Sequence, residues 1–482
     1  MFRYFVLHIL LLSSLPTAAQ VPGGLYSPAA LKADLHFVKK QLEHNHPALY
    51  RYTSKKTFNV FLDSLDHLVQ HPMKEQEFLS VLSLLNEKIA DGHTMFLPSE
   101  AATAYNNTQG RFLPLSVSYK QGKLYIRENN SLNKSLQPGQ EILAINDIPT
   151  DTLMAQLLKR QIRDGYNKTY PLWILQHYFA AYYSFAFGQP ANFTLRIQGQ
   201  AGEQEVAALT KDSIRLLRQP DTDTIDHVLY PVGQAAAGIV LSAIPHTRPV
   251  ALLTIKTFDV DQLKEQYHQD FNTTIDSIFA LLQRSGYTDL VLDLRDNQGG
   301  DFEPGRYLLS HLQRTPATYL YRGDEARLIT PSPRRFTGRL FVLMNGGTFS
   351  NAAIVSAYLE KYAKALFIGE ETGGNRHVIS GKARGILLPN THIRGYISTT
   401  NYLIDRAENN GHGVQPYYDI GGAVMGPKET RRILQEVFLD AEPPPAHYSS
   451  AEMLKTEKRL IGCIPERLVG PGVGYGRDTA VY

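Results

Sequence analysis

Leu290-Val291-Leu292-Asp293-Leu294-Arg295-Asp296-Asn297-Gln298-Gly299-Gly300 is a nearly unbroken apolar strand that runs straight into a loop ending in paired glycines. A strand with no polar alternation belongs inside a sheet covered on both faces, because a half-solvated strand would show a period of two. Outward from it, the same kind of run recurs at Val250 to Thr257, Leu340 to Met344 and Ala365 to Ile368, and a long helical pattern fills Gln262 to Arg284. Apolar strands separated by helical segments predict a parallel or mostly parallel sheet, an α/β core over residues 227–440.

Three loops leave the ends of these strands, where an open α/β sheet places its ligands. The first is Asp293 to Gly300, the second Asn345-Gly346-Gly347-Thr348-Phe349-Ser350-Asn351-Ala352-Ala353, and the third Gly369-Glu370-Glu371-Thr372-Gly373-Gly374. Paired glycines let backbone amides face a ligand, which an oxyanion hole requires. Ser350 stands at the predicted start of a helix from Ala352 to Tyr362, where free amides and the helix dipole favour a nucleophile whose attack creates an oxyanion. Taken alone, Ser350 reads as a helix N-cap, and Asp293 with Arg295 as a structural ion pair. No lysine follows in Gly-Lys-[Ser/Thr] form, which disfavours a nucleotide P-loop.

Ahead of the core the patterns differ. Residues 27–100 read as a small helical domain, with Leu31, Leu35, Val38 and Leu42, then Phe58, Phe61, Leu62, Leu65 and Leu68, then Phe78 to Ile89 at helical spacing, stopping at Asp91-Gly92. Residues 112–208 change to short alternating runs such as Leu115 to Tyr119 and Lys123 to Arg127, a β-rich module. Within it, Leu136-Gln137-Pro138-Gly139-Gln140-Glu141-Ile142-Leu143-Ala144-Ile145-Asn146-Asp147-Ile148-Pro149 gives a strand, a tight Asn-Asp turn and then a helix from Thr152. That string resembles a segment of PDZ domains; an ordinary β-hairpin is the alternative. The aromatic run Trp173 to Phe187 interrupts the module as an inserted helix or a groove wall.

Arg3, the apolar run Phe5 to Leu12 and the small residues Thr17-Ala18-Ala19 predict a signal peptide over residues 1–19 and export to a periplasmic or extracellular space. No cysteine lies near the cleavage site and no later stretch reaches the ~18 apolar residues of a span, so no stable membrane anchor is expected. With 482 residues, 43% of them hydrophobic, the chain suffices for several cored domains. A net charge of only +3, with basic residues scattered, argues against nucleic acid as the main partner. Cys463, the only cysteine, stands outside any Cys/His cluster, so no metal site, thiol nucleophile or intramolecular disulfide follows, and no cofactor is implied. Residues 441–482, with Pro443-Pro444-Pro445 and a glycine-rich end, read as a C-terminal extension.

Taken together, Asp-Leu-Arg-x-Asn-x-Gly-Gly, Asn-x-x-Thr-x-Ser-x-Ala and Gly-Glu-x-Thr-Gly-Gly resemble the tail-specific (C-terminal processing) serine peptidase superfamily, which includes the tricorn protease core and interphotoreceptor retinoid-binding protein. The resemblance implies a crotonase-like ββα spiral core, polypeptide substrates, Ser350 as nucleophile and an oxyanion hole of the Gly299, Gly300 and Asn351 amides. Family members differ in the base. C-terminal processing proteases carry a lysine just after the Gly-Glu motif, where this chain has Asn375, with Lys382 further on. The tricorn-like branch uses an upstream histidine, matched by His93 in Asp91-Gly92-His93-Thr94, and an imidazole suits proton transfer near neutral pH. That branch adds a glutamate shortly before a Gly-Val-x-Pro string. Here Gly413-Val414-Gln415-Pro416 is present but the matching position is Asn410, which leaves Glu408 as the candidate third member. A non-catalytic lipophile- or peptide-binding protein and a serine esterase are the alternatives on the same core.

Overall fold

Every side chain of Val250–Ile255 and of Asp289–Asp293 is buried, as runs without polar alternation require. In the computed structural model, which describes residues 24–217, 237–244, 246–320, 327–419 and 434, these strands lie inside a six-stranded sheet. Its order is Ile239–Ile244, Val250–Ile255, Asp289–Asp293, Arg339–Met344, Leu366–Gly369 and Tyr418–Asp419. The first pair is antiparallel and the later pairings are parallel. Strand order follows chain order, so the carboxyl ends that release the three glycine loops all face one way. The expected signal peptide, Cys463, the extension over 441–482 and the linker beyond Leu217 lie outside the described residues.

Successive side chains face opposite sides of the sheet. Leu290 and Leu292 pack with the helices Val260–Tyr267, Phe271–Arg284, Phe302–Leu312 and Asn351–Tyr362, while Val291 joins Val250, Phe341, Ile368 and Leu434. The single helix expected over Gln262 to Arg284 is two. Val260–Tyr267 ends at His268 in the left-handed region (φ 54°), and Asp270 starts Phe271–Arg284 by accepting the Thr273 amide. A capping aspartate competes with helix continuation, and apolar periodicity alone does not register it.

The helices Pro28–Asn45, Lys55–Leu68, Glu75–Leu82 and Leu85–Ile89 share a core that Leu388, Ile393 and Ile397 complete from the far end of the chain. The strand Met95–Leu97 pairs antiparallel with Arg394–Ile397, which fastens the segment carrying His93 to the core. Residues 115–207 form an antiparallel sheet, in the order Leu115–Lys120, Lys123–Asn129, Glu141–Ile145, Asn192–Ile197 and Glu203–Ala207. Asn146 and Asp147 both take positive φ (47° and 61°), the turn expected of an Asn-Asp pair between Glu141–Ile145 and Ile148–Pro149. The aromatic run is the helix Thr169–Phe187. Its Leu175, Phe179 and Tyr183 are part of the β-module's own core, whereas Tyr170, Trp173 and Ile174 pack on Phe349 of the second glycine loop. No described helix is long and apolar enough to cross a membrane.

Candidate active site

The second loop is built by its own side chains before it meets anything else. Thr348 Oγ1 donates to the Leu294 carbonyl at 2.8 Å and accepts the Asn345 amide at 3.0 Å. Asn345 Oδ1 accepts the Gly347 and Asp296 amides, and the Phe349 amide donates to the Asn297 carbonyl. Loops one and two are thereby laced together, and Ser350 is presented at the head of Asn351–Tyr362. It sits at φ 50°, ψ −124°, a conformation that costs an L-residue on the order of 1–3 kcal/mol. Although it holds the N-cap position, its side chain makes no capping bond. Its hydroxyl lies instead 3.1 Å from His93 Nε2.

His93 comes from the other end of the molecule and is held by a chain of contacts. Ala90, left-handed at φ 52°, ends Leu85–Ile89 one residue before the expected Asp91-Gly92 stop, and its carbonyl accepts the Gly165 amide. Asp91 Oδ1 accepts the His93 amide at 2.8 Å, while its Oδ2 lies 2.7 Å from His46 Nε2 and accepts the Thr94 hydroxyl. The imidazole of His93 stacks on Phe349, with centroids 4.8 Å apart, and Phe349 stacks on Tyr170 at 4.1 Å. Burial by itself would raise the Asp91 carboxyl, but the His46 hydrogen bond and charge outweigh it and hold the group well below the usual carboxylate range.

The expected oxyanion donors fare differently from one another. The Gly299 amide is already spent on Asn297 Oδ1 at 2.8 Å, so it is not available to a substrate. The Gly300 and Asn351 amides donate no hydrogen bond among the described residues. Gly300 takes φ 137°, and a Cβ there would lie 2.1 Å from the Asp259 nitrogen, so only glycine can present this amide. The Asn351 side chain is buried, accepts the Tyr319 hydroxyl at 2.7 Å and donates to the Asp301 carbonyl. In the third loop the glycines permit close approach of backbone. A Cβ on Gly373 would lie 2.2 Å from the Gly346 carbonyl oxygen, and the Gly373 amide donates to Thr348 O.

Three other candidates make no hydrogen bond to the serine or to His93. Glu408 is exposed and does not reach the imidazole, whose Nδ1 is buried with no hydrogen-bond partner. Lys382 sits in an exposed turn at φ 48°. Asn375, in the position of the family's lysine, is a structural residue: its Oδ1 accepts the His377 amide and its Nδ2 donates to Tyr52 and Asn409. Asp293 and Arg295 form the expected structural ion pair, with Arg295 Nη2 2.6 Å from Asp293 Oδ2.

Sequence reading missed Asp164. One oxygen each of Asp91 and Asp164 and one ring nitrogen of His93 lie within 4.8 Å of one another. Both carboxylates are engaged: Asp164 accepts the Gly92 amide at 2.8 Å and the Asn375 amide at 3.2 Å. Burial, with the Asp91 charge added, pushes Asp164 up to about 6 against the pull of His93 and the two amides. Its only local mark is Asp164-Gly165, an ordinary turn dipeptide, and Gly165 indeed takes φ 62°. The same segment buttresses all three loops: Asn167 donates to Thr372 O, Tyr170 to Gln298 and Trp173 to Asp296, and the Tyr170 ring stacks on Phe349 of the second loop.

Residues 249–420 match peptidase family S41. The fold is similar to the crystal structure of mature CPAF, at 16% identity and a TM-score of 0.60, over 85% of this chain and 96% of that one. It is similar also to mature CPAF complexed with lactacystin, at 14% identity and a TM-score of 0.59, over 90% and 99% of the two chains. No curated protein matches the chain in sequence.

Proposed function

We propose that the chain, a serine-type peptidase whose residues 249–420 match peptidase family S41, is an exported endopeptidase acting through an acyl-enzyme on Ser350, with His93 as general base. The observation that carries this reading is the 3.1 Å approach of Ser350 Oγ to His93 Nε2, made by a serine that holds a strained backbone and caps nothing. His93 Nε2 takes the hydroxyl proton as Oγ bonds to the scissile carbonyl carbon. The negative charge that develops on the carbonyl oxygen faces the free amides of Gly300 and Asn351. His93 then returns the proton to the departing amine, and the same base activates the water that hydrolyses the ester. The sheet, with its stacked parallel crossovers, supports a crotonase-like ββα core. Residues 112–208 read as a PDZ-like module through which polypeptide substrates are selected, and residues 1–19 as the export signal.

Labelling with a fluorophosphonate probe tests the assignment, since the probe needs an activated serine and ignores a capping one. Wild-type protein is expected to be labelled on Ser350 and to cleave peptides. Ser350→Ala should keep the fold and lose both properties. A Ser350→Ala protein that still turns over peptide would remove Ser350 from the mechanism and return the chain to the binding-protein alternative.

A further inference from the structure

His93 presents one nitrogen to Ser350 and leaves the other, Nδ1, buried without an acceptor. A base that must become positively charged in a buried site needs an anion beside it, both to fix its tautomer and to stabilise the imidazolium. The titratable groups facing the ring are Asp91 on its own loop, Asp164 on the loop after the helix Thr150–Lys159, and the Ser350 hydroxyl; Tyr170, beyond Phe349, is kept neutral by burial. Glu408 is exposed and makes no hydrogen bond to the ring.

Asp91 has little left to offer. Its Oδ1 is taken by the His93 amide, and its Oδ2 by His46 and Thr94. Asp164 differs: its only hydrogen bonds are from two backbone amides, those of Gly92 and Asn375, which fix its position without supplying a counter-charge. Those amides belong to the loop that carries His93 and to the loop that follows the third glycine pair. The Gly165 amide adds a third tie, to Ala90 O at 2.9 Å. A Cβ on Gly92 would lie 3.1 Å from Asp164 Oδ1, so the carboxylate lies directly against the backbone preceding His93.

We propose that Asp164 is the acidic positioning residue of His93, taking the place that the family resemblance assigns to a glutamate near Asn410. The inference rests on the serine-peptidase reading of the site. As Ser350 gives its proton to His93 Nε2 and its Oγ–C bond forms, the new positive charge on the ring is balanced by Asp164. The carboxylate itself exchanges no proton with substrate, and the ring proton leaves on the amine nitrogen when the C–N bond breaks. Catalytic hydrogen bonds tend to be long in a free enzyme and to tighten when substrate excludes water, so a small rotation of the ring is the motion required.

The test compares Asp164→Asn with Ser350→Ala and wild type, following peptide kcat and KM across pH with circular dichroism as the fold control. Asp164→Asn is expected to lose about 10²-fold or more in kcat with KM within about threefold. It should also move the acid limb of kcat/KM to lower pH, because an imidazolium without its anion gives up its proton more readily. A purely structural tie would not move that limb. If Ser350→Ala is inactive while Asp164→Asn keeps kcat within about threefold or leaves the acid limb in place, this inference fails and the serine mechanism stands. If Ser350→Ala is fully active, the underlying reading fails first. Asp164→Ser, which opens space between the two amides, replaces Asp164→Asn should the latter not fold. Loss of fold in both would make Asp164 a structural tie and overturn the proposal.

Discussion

Two histidine and aspartate pairs lie side by side in this molecule and are put to opposite uses. His46 and Asp91 are both buried and lie 2.7 Å apart, and every oxygen of Asp91 has a donor. His93 and Asp164 approach each other without bonding, leaving His93 Nδ1 unpartnered and Asp164 pushed up to about 6. A saturated pair is a pin that sets where the chain goes, whereas an unsaturated pair holds capacity for a charge that has yet to appear. The pin serves the open pair, since Asp91 also grips the His93 amide.

The sharpest way to break this contrast is to remove each imidazole in turn. His93→Ala should cost about as much as Ser350→Ala, roughly 10⁴-fold or more in kcat, because members of one proton-transfer unit are not additive, and it should leave the melting temperature close to wild type. His46→Ala should do the reverse in stability, lowering it by about 3 kcal/mol as it strands a buried carboxylate. The pH dependence gives the sign. The Asp91 carboxyl is held below its unfolded range, so its stabilisation is present above the ordinary carboxylate pKa and is lost as pH falls through the folded value. The gap between wild type and His46→Ala should therefore be full at pH 7 and narrow in acid. A gap that stays constant down to pH 2 would remove Asp91 from the cause.

Asp164 carries the opposite linkage. Its folded pKa is raised, so the native state holds the proton more tightly than the unfolded chain, and stability is lost as pH rises from about 4 through about 6. Asp164→Asn does not titrate. Its melting temperature relative to wild type should thus climb between pH 4 and 7 and then level off, while its activity is reduced throughout. This measurement sharpens the comparison, because a carboxylate that weakens the fold where it is ionised is retained for another reason. A relative melting temperature that falls over the same interval would make Asp164 a second pin like Asp91.

Much of this is legible in the amino-acid sequence. The burial of the core strands follows from Leu290 to Leu294 and Val250 to Ile255 lacking polar alternation, and the Asn146-Asp147 turn from its residue types. Ser350 and His93, which the family motifs single out, lie 3.1 Å apart. What was not legible depends on tertiary closure. Nothing local in Asp164-Gly165 says that the chain will turn back on Gly92 and Asn375, and the paired glycines of loops one and three look alike although Gly300 presents an amide and Gly373 packs against a carbonyl. The engagement of the Gly299 amide is hidden for a similar reason, since its acceptor is the Asn297 side chain only two residues earlier, a turn contact that motif reading does not resolve.

The smallest expected effect concerns Glu408 and Lys382, two charged residues that stand near the family's motif positions but not on them. Glu408 is exposed, and Lys382 occupies an exposed turn whose carbonyl accepts the Thr399 hydroxyl. An exposed charge lies in high dielectric and is screened within about 8–10 Å at physiological salt, so neither can bias a proton transfer between His93 and Ser350 appreciably. Glu408→Gln and Lys382→Met should each leave kcat and KM within about twofold of wild type and shift neither limb of the pH profile. The pair of null results has weight only beside an active-site variant measured in the same assay, which is the place of Asp164→Asn. Should Glu408→Gln instead lower kcat 100-fold with KM unchanged, the chain segment bearing it must close onto His93 when substrate binds, and the unsaturated nitrogen of that ring would belong to Glu408 rather than to Asp164.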